Sequence, residues 1–358
     1  MSRGSWFGPL MVVAVCVQAA TFAARPMVSY RAIEIGAGNL GIGLITAGFA
    51  VLPLFLAVPV GRWVDASGER TAALLGGALI AVSALALTGA RTLGWLVLLN
   101  ALFGLGHLLS VVAQQAVIAN RVAAGGHDGA YARFTVFTSI GQLIGPPVAA
   151  LVASGTLAAG TAGETAGVAA AEVGPALAVA AAFAVVAALA SLRVGAAAPV
   201  RRPDGAARYA LRGTLAQEGM WQAMVTSLTT VTAVDLVVAY LPAWGQDHRV
   251  SVVAVGWLLA LRAAATMASR LTMERLVRRY GRRGVLVGST VVAAVTMAAL
   301  PFCGLVAAVP VIGLLGFALG VGQPLTLSWV AGRARPGERG TALALRLTGN
   351  RLGQVVVP

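Results

Sequence analysis

The chain has 358 residues, 58% of them hydrophobic and 11% charged, with a mean hydropathy of +0.85 and a formal net charge of +14. A soluble domain does not carry this composition, and no polar stretch between apolar runs exceeds about thirty residues, too short to build a core of its own. The positive charge does not indicate nucleic acid: all 26 basic residues are arginine, and they gather at the ends of apolar runs.

A bilayer core about 30 Å thick needs roughly twenty apolar residues per helix. On that measure the sequence predicts spans over 6–27, 40–60, 71–90, 93–119, 134–153, 173–192, 220–244, 250–268, 285–305 and 307–330. The first run shows no small-residue cleavage site and reads as a retained span, not a signal peptide. An eleventh run begins at Thr341, and the chain stops at Pro358 while still inside it. The expectation is a C-terminally truncated chain whose natural form continues into a twelfth span. Cys16 and Cys303 fall within apolar runs and read as small buried hydrophobes, not a disulfide or a metal pair.

With the N-terminus in the cytoplasm, nineteen arginines fall in inside segments and four (Arg25, Arg31, Arg91 and Arg249) in outside ones. The excess of inside arginine predicts that orientation. The longest inside segment, 193–219, carries Pro199, Pro203 and five arginines and reads as a cytoplasmic linker, with a short surface helix over 209–217. It divides a six-span lobe, 1–192, from a second lobe, 220–358.

Between the second and third spans lies Gly61-Arg62-Trp63-Val64-Asp65-Ala66-Ser67-Gly68-Glu69-Arg70. A turn this tight needs special backbone positions. Gly61 is expected to allow close helix approach and Gly68 to take a positive φ. Asp65, held at the membrane edge, needs a partner or a helix N-terminus. A related stretch, Glu274 to Arg283, follows the eighth span, with Gly281 matching Gly68 and Arg283 matching Arg70 at an offset of 213. Gly104 and Gly106 are echoed by Gly320 and Gly322. Gly141, Gln142 and Pro146 are echoed by Gly353, Gln354 and Pro358 at an offset of 212. A six-plus-six duplication is the pattern of a two-lobed transporter with its site between the lobes near the midplane.

On these residues the chain resembles the major facilitator superfamily. Gly61, Asp65, Gly68 and Arg70 match its signature between helices 2 and 3, roughly G-x-x-x-D-x-x-G-x-R; Ala66 and Glu69 stand where the family usually carries basic residues. Gly141, Gly145 and Pro146 resemble the helix 5 motif of its antiporters, G-x-x-x-G-P-x-x-G-G, with Ala149 and Ala150 at the last two positions. Small residues four apart flatten a helix face for packing, and Pro146 is expected to bend the helix or act as a pivot. The resemblance covers the whole chain. It implies an all-α membrane fold of two pseudo-symmetric six-helix lobes, the second incomplete, and it lies nearest the proton-coupled drug and metabolite antiporters. It also implies that Gly61, Asp65, Gly68 and Arg70, with Gly281 and Arg283, form a conformational gate on the inside, Asp65 facing the start of the eleventh helix near 338–341. One position departs. Asn100 stands where helix 4 of the family usually carries an arginine linked to proton coupling, so the usual form of that coupling is in doubt.

Ionisable groups inside spans cost several kcal/mol unless paired or wetted, which makes each a functional candidate. Asp235 in the seventh span is the only carboxylate clearly inside an apolar run, with Arg262 or Arg25 as a possible partner. An Asp235–Arg262 pair would pin two helices as readily as it would carry function. His107 could titrate near neutral pH, although a lone histidine on a Gly/Leu-rich helix is more often packed or hydrogen-bonded. Gln114, Gln115, Gln142 and Gln323 could line a polar cavity or hold helices together. Arg346, Asn350 and Arg351 recur at helical spacing and could face the cavity or reach for the surface. Glu34 reads as an outer-loop residue.

There is no HExxH, Gly-x-Ser-x-Gly or Walker loop. The chain is therefore not read as an enzyme or an ATP-driven pump, and it implies neither cofactor nor metal. The sequence reading is a monomeric secondary transporter of the plasma membrane. It would work by alternating access and export a small hydrophobic or drug-like compound against protons, with no nucleic-acid partner. The alternatives are a metabolite importer or uniporter, and a protein of the same fold that senses or partners without transporting.

Overall fold

The computed structural model describes residues 6–122, 127–155, 172–195, 220–333 and 339–358. Among the described residues the regular elements are helical: α1 (Phe7–Glu34), α2 (Gly38–Ser67), α3 (Glu69–Thr88), α4 (Leu93–Arg121), α5 (His127–Ala153), α6 (Val173–Ser191), α7 (Met220–Asp247), α8 (Val252–Ala299), α9 (Leu305–Arg333) and α10 (Arg339–Val356), with a single 3-10 turn at Leu300–Phe302. α1 to α9 are long and apolar enough to cross a membrane. The predicted surface helix over 209–217 lies outside the described residues.

The polar stretch after the second span is not a loop. α2 runs through Ser67, and Gly68 alone, at φ 87° and ψ 148°, separates it from α3. Hydropathy reports where the bilayer ends, whereas helical hydrogen bonds continue through Arg62 and Trp63 without apolar side chains. Gly61 is not a close-approach position either, because a Cβ there would meet nothing within 4 Å.

α8 repeats this design. Its 48 residues would reach about 70 Å at the helical rise, more than twice a bilayer core, but Gly281 breaks it at φ 70° and ψ 160°. Beyond the break Val285 and Leu286 join Val321 and Leu325 in one apolar cluster, against which Met273, Leu276 and Val277 from before it also pack. The chain therefore folds back at Gly281, and α8 comprises the predicted eighth and ninth spans.

The chain forms two compact units. The first is Met1–Arg201 with Val238–Ala260, and the second is Arg202–Val237 with Leu261–Pro358. In the first, α1 packs on α5 and α6, α3 on α4 and α6, and α2 on α4. A Cβ at Gly104 would overlap the Phe49 carbonyl oxygen, one at Gly141 the Val15 carbonyl, and one at Gly145 the Ala19 carbonyl. Lipid is as apolar as leucine, so close backbone approach of this kind is what associates helices in a membrane. α5 continues through Pro146 and Pro147 to Ala153.

In the second unit a Cβ at Gly316 would strike the Arg262 backbone, and one at Gly320 would meet Thr266 and Ser269. Phe49 and Arg262 are 213 apart, and the glycines facing them, Gly104 and Gly316, are 212 apart. The structural counterpart of Gly104 is therefore Gly316, not Gly320 as the sequence echo suggested. A run of glycines repeats under several registers, and only the packing partner selects one.

Candidate functional site

The second unit carries a polar seam between α7 and α10. Arg346, Asn350 and Gln354 recur every four residues on α10 and share a face. Arg346 Nη1 donates to Ser227 Oγ at 2.7 Å, and Gln354 Nε2 donates to Asp235 Oδ2. Ser227, Asp235, Asn350 and Gln354 are all buried. Gly353 makes the approach possible, since a Cβ there would meet Thr232 and Leu228.

Arg351 Nη1 donates to Gln354 Oε1 at 3.0 Å. The amide is therefore oriented at both ends, its oxygen accepting from a guanidinium and its nitrogen donating to a carboxylate. The result is a relay, Arg351–Gln354–Asp235, within one unit. Gln354 was missed as a site residue by sequence reasoning, although the repeat that pairs it with Gln142 was the available signal. Arg262, on the first half of α8, is 1% exposed and heads the fully buried side chains by volume.

The first unit has a cluster of a different kind. Arg25 places its guanidinium 4.8 Å from the centroid of Phe49, and the His107 ring lies 5.5 Å from the same ring. A cation over an aromatic face, away from water, gains roughly 2 kcal/mol. The count of outside arginines misplaced Arg25: α1 continues to Glu34, and Arg25 is buried within it. Glu34, at the exposed helix end, pairs with Arg31 at 2.8 Å.

Two other candidates tie helices together. Asn100 Nδ2 donates to the Ile45 carbonyl at 2.7 Å, joining α4 to α2, and Gln142 Nε2 donates to Gln18 Oε1 at 3.5 Å, joining α5 to α1. The side chain of Gln323 lies outside the described residues.

The polar stretch 61–70 holds a third cluster, centred on a residue the sequence reading treated as a departure. Glu69, the first residue of α3, is 3% exposed. Its Oε1 accepts from Asn120 at 2.7 Å and its Oε2 from Arg121 at 3.2 Å. Arg121 also donates to the carbonyls of Val194 at 2.5 Å and Gly195 at 2.7 Å, just past the end of α6. Its guanidinium lies 5.8 Å from the Trp6 ring. One arginine thus ties together the ends of α3, α4 and α6, where carbonyls of a helix C-terminus favour a cation. An acid at a customary basic position is matched by a base at the end of α4. Arg70, Gly281 and Arg283 are exposed, while the Asp65 side chain lies outside the described residues.

Among the described residues no group of His, Cys, Asp or Glu could hold a metal ion. Residues 10–358 match the Major Facilitator Superfamily. The chain belongs to this family. As a superfamily member it is an integral, multi-pass membrane protein with a transporter fold. It is similar to a single-residue mutant of the nucleoside transporter NupG, at 14% identity and a TM-score of 0.78 over 98% of this chain and 90% of that one. It is also similar to a POT family transporter in complex with 5-aminolevulinic acid, at 12% identity, TM-score 0.74, covering 98% of this chain and 88% of that one. A bacterial homologue of the human lysosomal transporter Spinster, inward-facing and unoccupied, gives 16% identity and a TM-score of 0.65 over 99% and 82% of the two chains. At these identities the likeness speaks for the fold alone. No curated protein sequence matches the chain.

Proposed function

We propose that this superfamily member is a proton-coupled secondary transporter that exports a small hydrophobic or drug-like compound by alternating access. The observation that supports it most is Asp235, a buried carboxylate within α7, linked through Gln354 to Arg351. An ionisable residue held inside a span is expensive and marks an ion pathway by default. Protonation of Asp235 removes the negative end of the relay, and a ligand or proton that binds two arrangements unequally shifts their populations. Each charge crossing the membrane contributes about 2.3 kcal/mol per 100 mV. The resemblance of Gly141, Gly145 and Pro146 to the antiporter motif supports export by antiport as the direction.

In this reading the N-terminus is cytoplasmic, the protein works as a monomer in the plasma membrane, and residues 61–70 form an inside gate. Asp65 is the acid that would act as the latch of that gate.

A second reading, transport of a polar metabolite, is favoured within the second unit by three guanidinium groups, the buried Arg262 and the half-buried Arg346 and Arg351, which outnumber the carboxylate of Asp235. Guanidinium groups match carboxylate and phosphate groups and disfavour cations. Purified protein in proteoliposomes with an imposed pH gradient separates the two. Export of hydrophobic cations that collapses with an uncoupler supports the first, whereas uptake of anionic or zwitterionic metabolites insensitive to the uncoupler supports the second. Ligand binding with no flux of any bound compound would leave only a non-transporting role.

A further inference from the structure

The two copies of the repeat diverge around their positive-φ glycines, in charge and in shape together. Around Gly68 the first copy is balanced, with Arg62 and Arg70 set against Asp65 and Glu69. The offset of 213 pairs these with Arg275, Arg283, Arg278 and Arg282, so both acids of the first copy are arginines in the second. Arg279 adds a fifth, and Glu274 is the one acid of the stretch. Arg275, Arg278, Arg279, Arg282 and Arg283 are all exposed. A bias toward inside arginine does not by itself account for this, because the first copy satisfies the same bias with no net charge in its stretch.

Directly beside these arginines the surface opens. A groove of about 380 Å³ runs along the second half of α8 and α9, lined by Tyr280, Gly284, Gly288, Val292, Phe317 and Val321 among others. Gly288 creates its depth, since a Cβ there would meet nothing within 4 Å. The same offset pairs Gly288 with Leu75, an apolar side chain 46% exposed on α3. The second copy thus lacks the side chain that would fill this place. The Arg279 guanidinium lies 5.4 Å from the ring of Tyr280, a residue of the groove wall, so positive charge and apolar channel meet at one residue.

We propose that this surface binds an anionic phospholipid, with an acyl chain in the groove over Gly288 and the phosphate on the arginines flanking Gly281. The apolar groove alone would accept any lipid, and the arginines alone any anion. Their junction, at the Gly281 turn between two apolar helical stretches, selects a molecule carrying both. Clustered basic residues next to a membrane span are the ordinary recognition device for acidic headgroups. The proposal concerns the second unit alone and does not depend on the cargo.

The test is native mass spectrometry of the whole chain in detergent, titrated with phosphatidylglycerol, phosphatidylcholine or glycerol phosphate. Wild type should retain phosphatidylglycerol about thirtyfold better than phosphatidylcholine, the scale of two surface charges on an anionic lipid. Arg278→Gln with Arg279→Gln, Arg282→Gln and Arg283→Gln should erase that preference. Gly288→Leu, which leaves every charge in place, should lower retention of phosphatidylglycerol as well. Folding of that variant is checked by its melting temperature; should it fail, Gly284→Val narrows the same groove one turn away. Equal retention of the two lipids by wild type overturns the proposal. So does full retention after the groove is filled, which would mean surface adsorption. Displacement of the lipid by glycerol phosphate at equal concentration would mean a free phosphate site, and overturns it too.

Discussion

Gln354 occupies the middle of a buried chain and is the residue whose loss should be felt at both ends. Gln354→Leu keeps the volume of the side chain but removes the donor to Asp235 and the acceptor from Arg351. A buried polar group stripped of its partner costs roughly 1–3 kcal/mol. The variant should melt earlier in detergent and transport more slowly, while Gln142→Leu, whose bond to Gln18 is a long 3.5 Å, should change little. Glu69 is a sharper case because it is charged. Glu69→Gln leaves Arg121 with carbonyl partners only, and Arg121→Leu leaves a buried carboxylate, a loss of roughly 3 kcal/mol or more. Thermal melting should therefore fall further for Arg121→Leu. The exchange Glu69→Arg with Arg121→Glu should recover part of the loss; no recovery would mean that the Val194 and Gly195 carbonyls, not the ion pair, set the energetics. Neither Gln354 nor Glu69 was read from the sequence as a site residue, although the one appears in the repeat and the other departs from the signature. Hydropathy has no signal for a polar side chain that is buried by its partners, and Glu69 looked like a missing base because its partner, Arg121, is 52 residues away.

At the scale of elements, apolar run length located the helices and misjudged their ends. α1 extends past the predicted Met27 to Glu34, and α2 past Val60 to Ser67, because a helix needs only backbone bonds once it leaves the bilayer. The tight turns remain as single glycines, Gly68 and Gly281, both in the left-handed half of backbone space. The positions of a motif therefore have unequal roles. Gly68→Ala should lower the melting temperature, since an L side chain at that φ costs about 1–2 kcal/mol. Gly61→Ala should be neutral or stabilising by up to about 1 kcal/mol, because it sits within a helix where a Cβ touches nothing. Equal losses at the two sites would contradict this division. α10 was only partly legible beforehand. Its sequence reads as an apolar run with Arg346, Asn350 and Arg351 as a possible polar face, whereas the bonds to α7 come from Arg346 and Gln354.

For the molecule as a whole, the two copies share a backbone plan and differ in chemistry, with an aromatic and cationic cluster at Arg25, Phe49 and His107 in one and a carboxylate relay at Asp235 in the other. Family and membrane class were legible from composition, repeat and motifs, since these depend on many residues at once. Cargo was not, because it depends on a few side chains in a setting of alanine, valine and glycine that carries little chemical code. The gate reading makes its own prediction. Asp65→Asn should weaken the inside latch and raise the labelling of cysteines introduced on the cytoplasmic side, and unchanged labelling would count against it. Flux driven by a pH gradient in proteoliposomes, compared between wild type and Asp235→Asn, decides whether transport is coupled to protons through this carboxylate. The variant should bind its substrate but lose the dependence on the gradient. Transport by Asp235→Asn that still follows the imposed gradient would contradict that coupling.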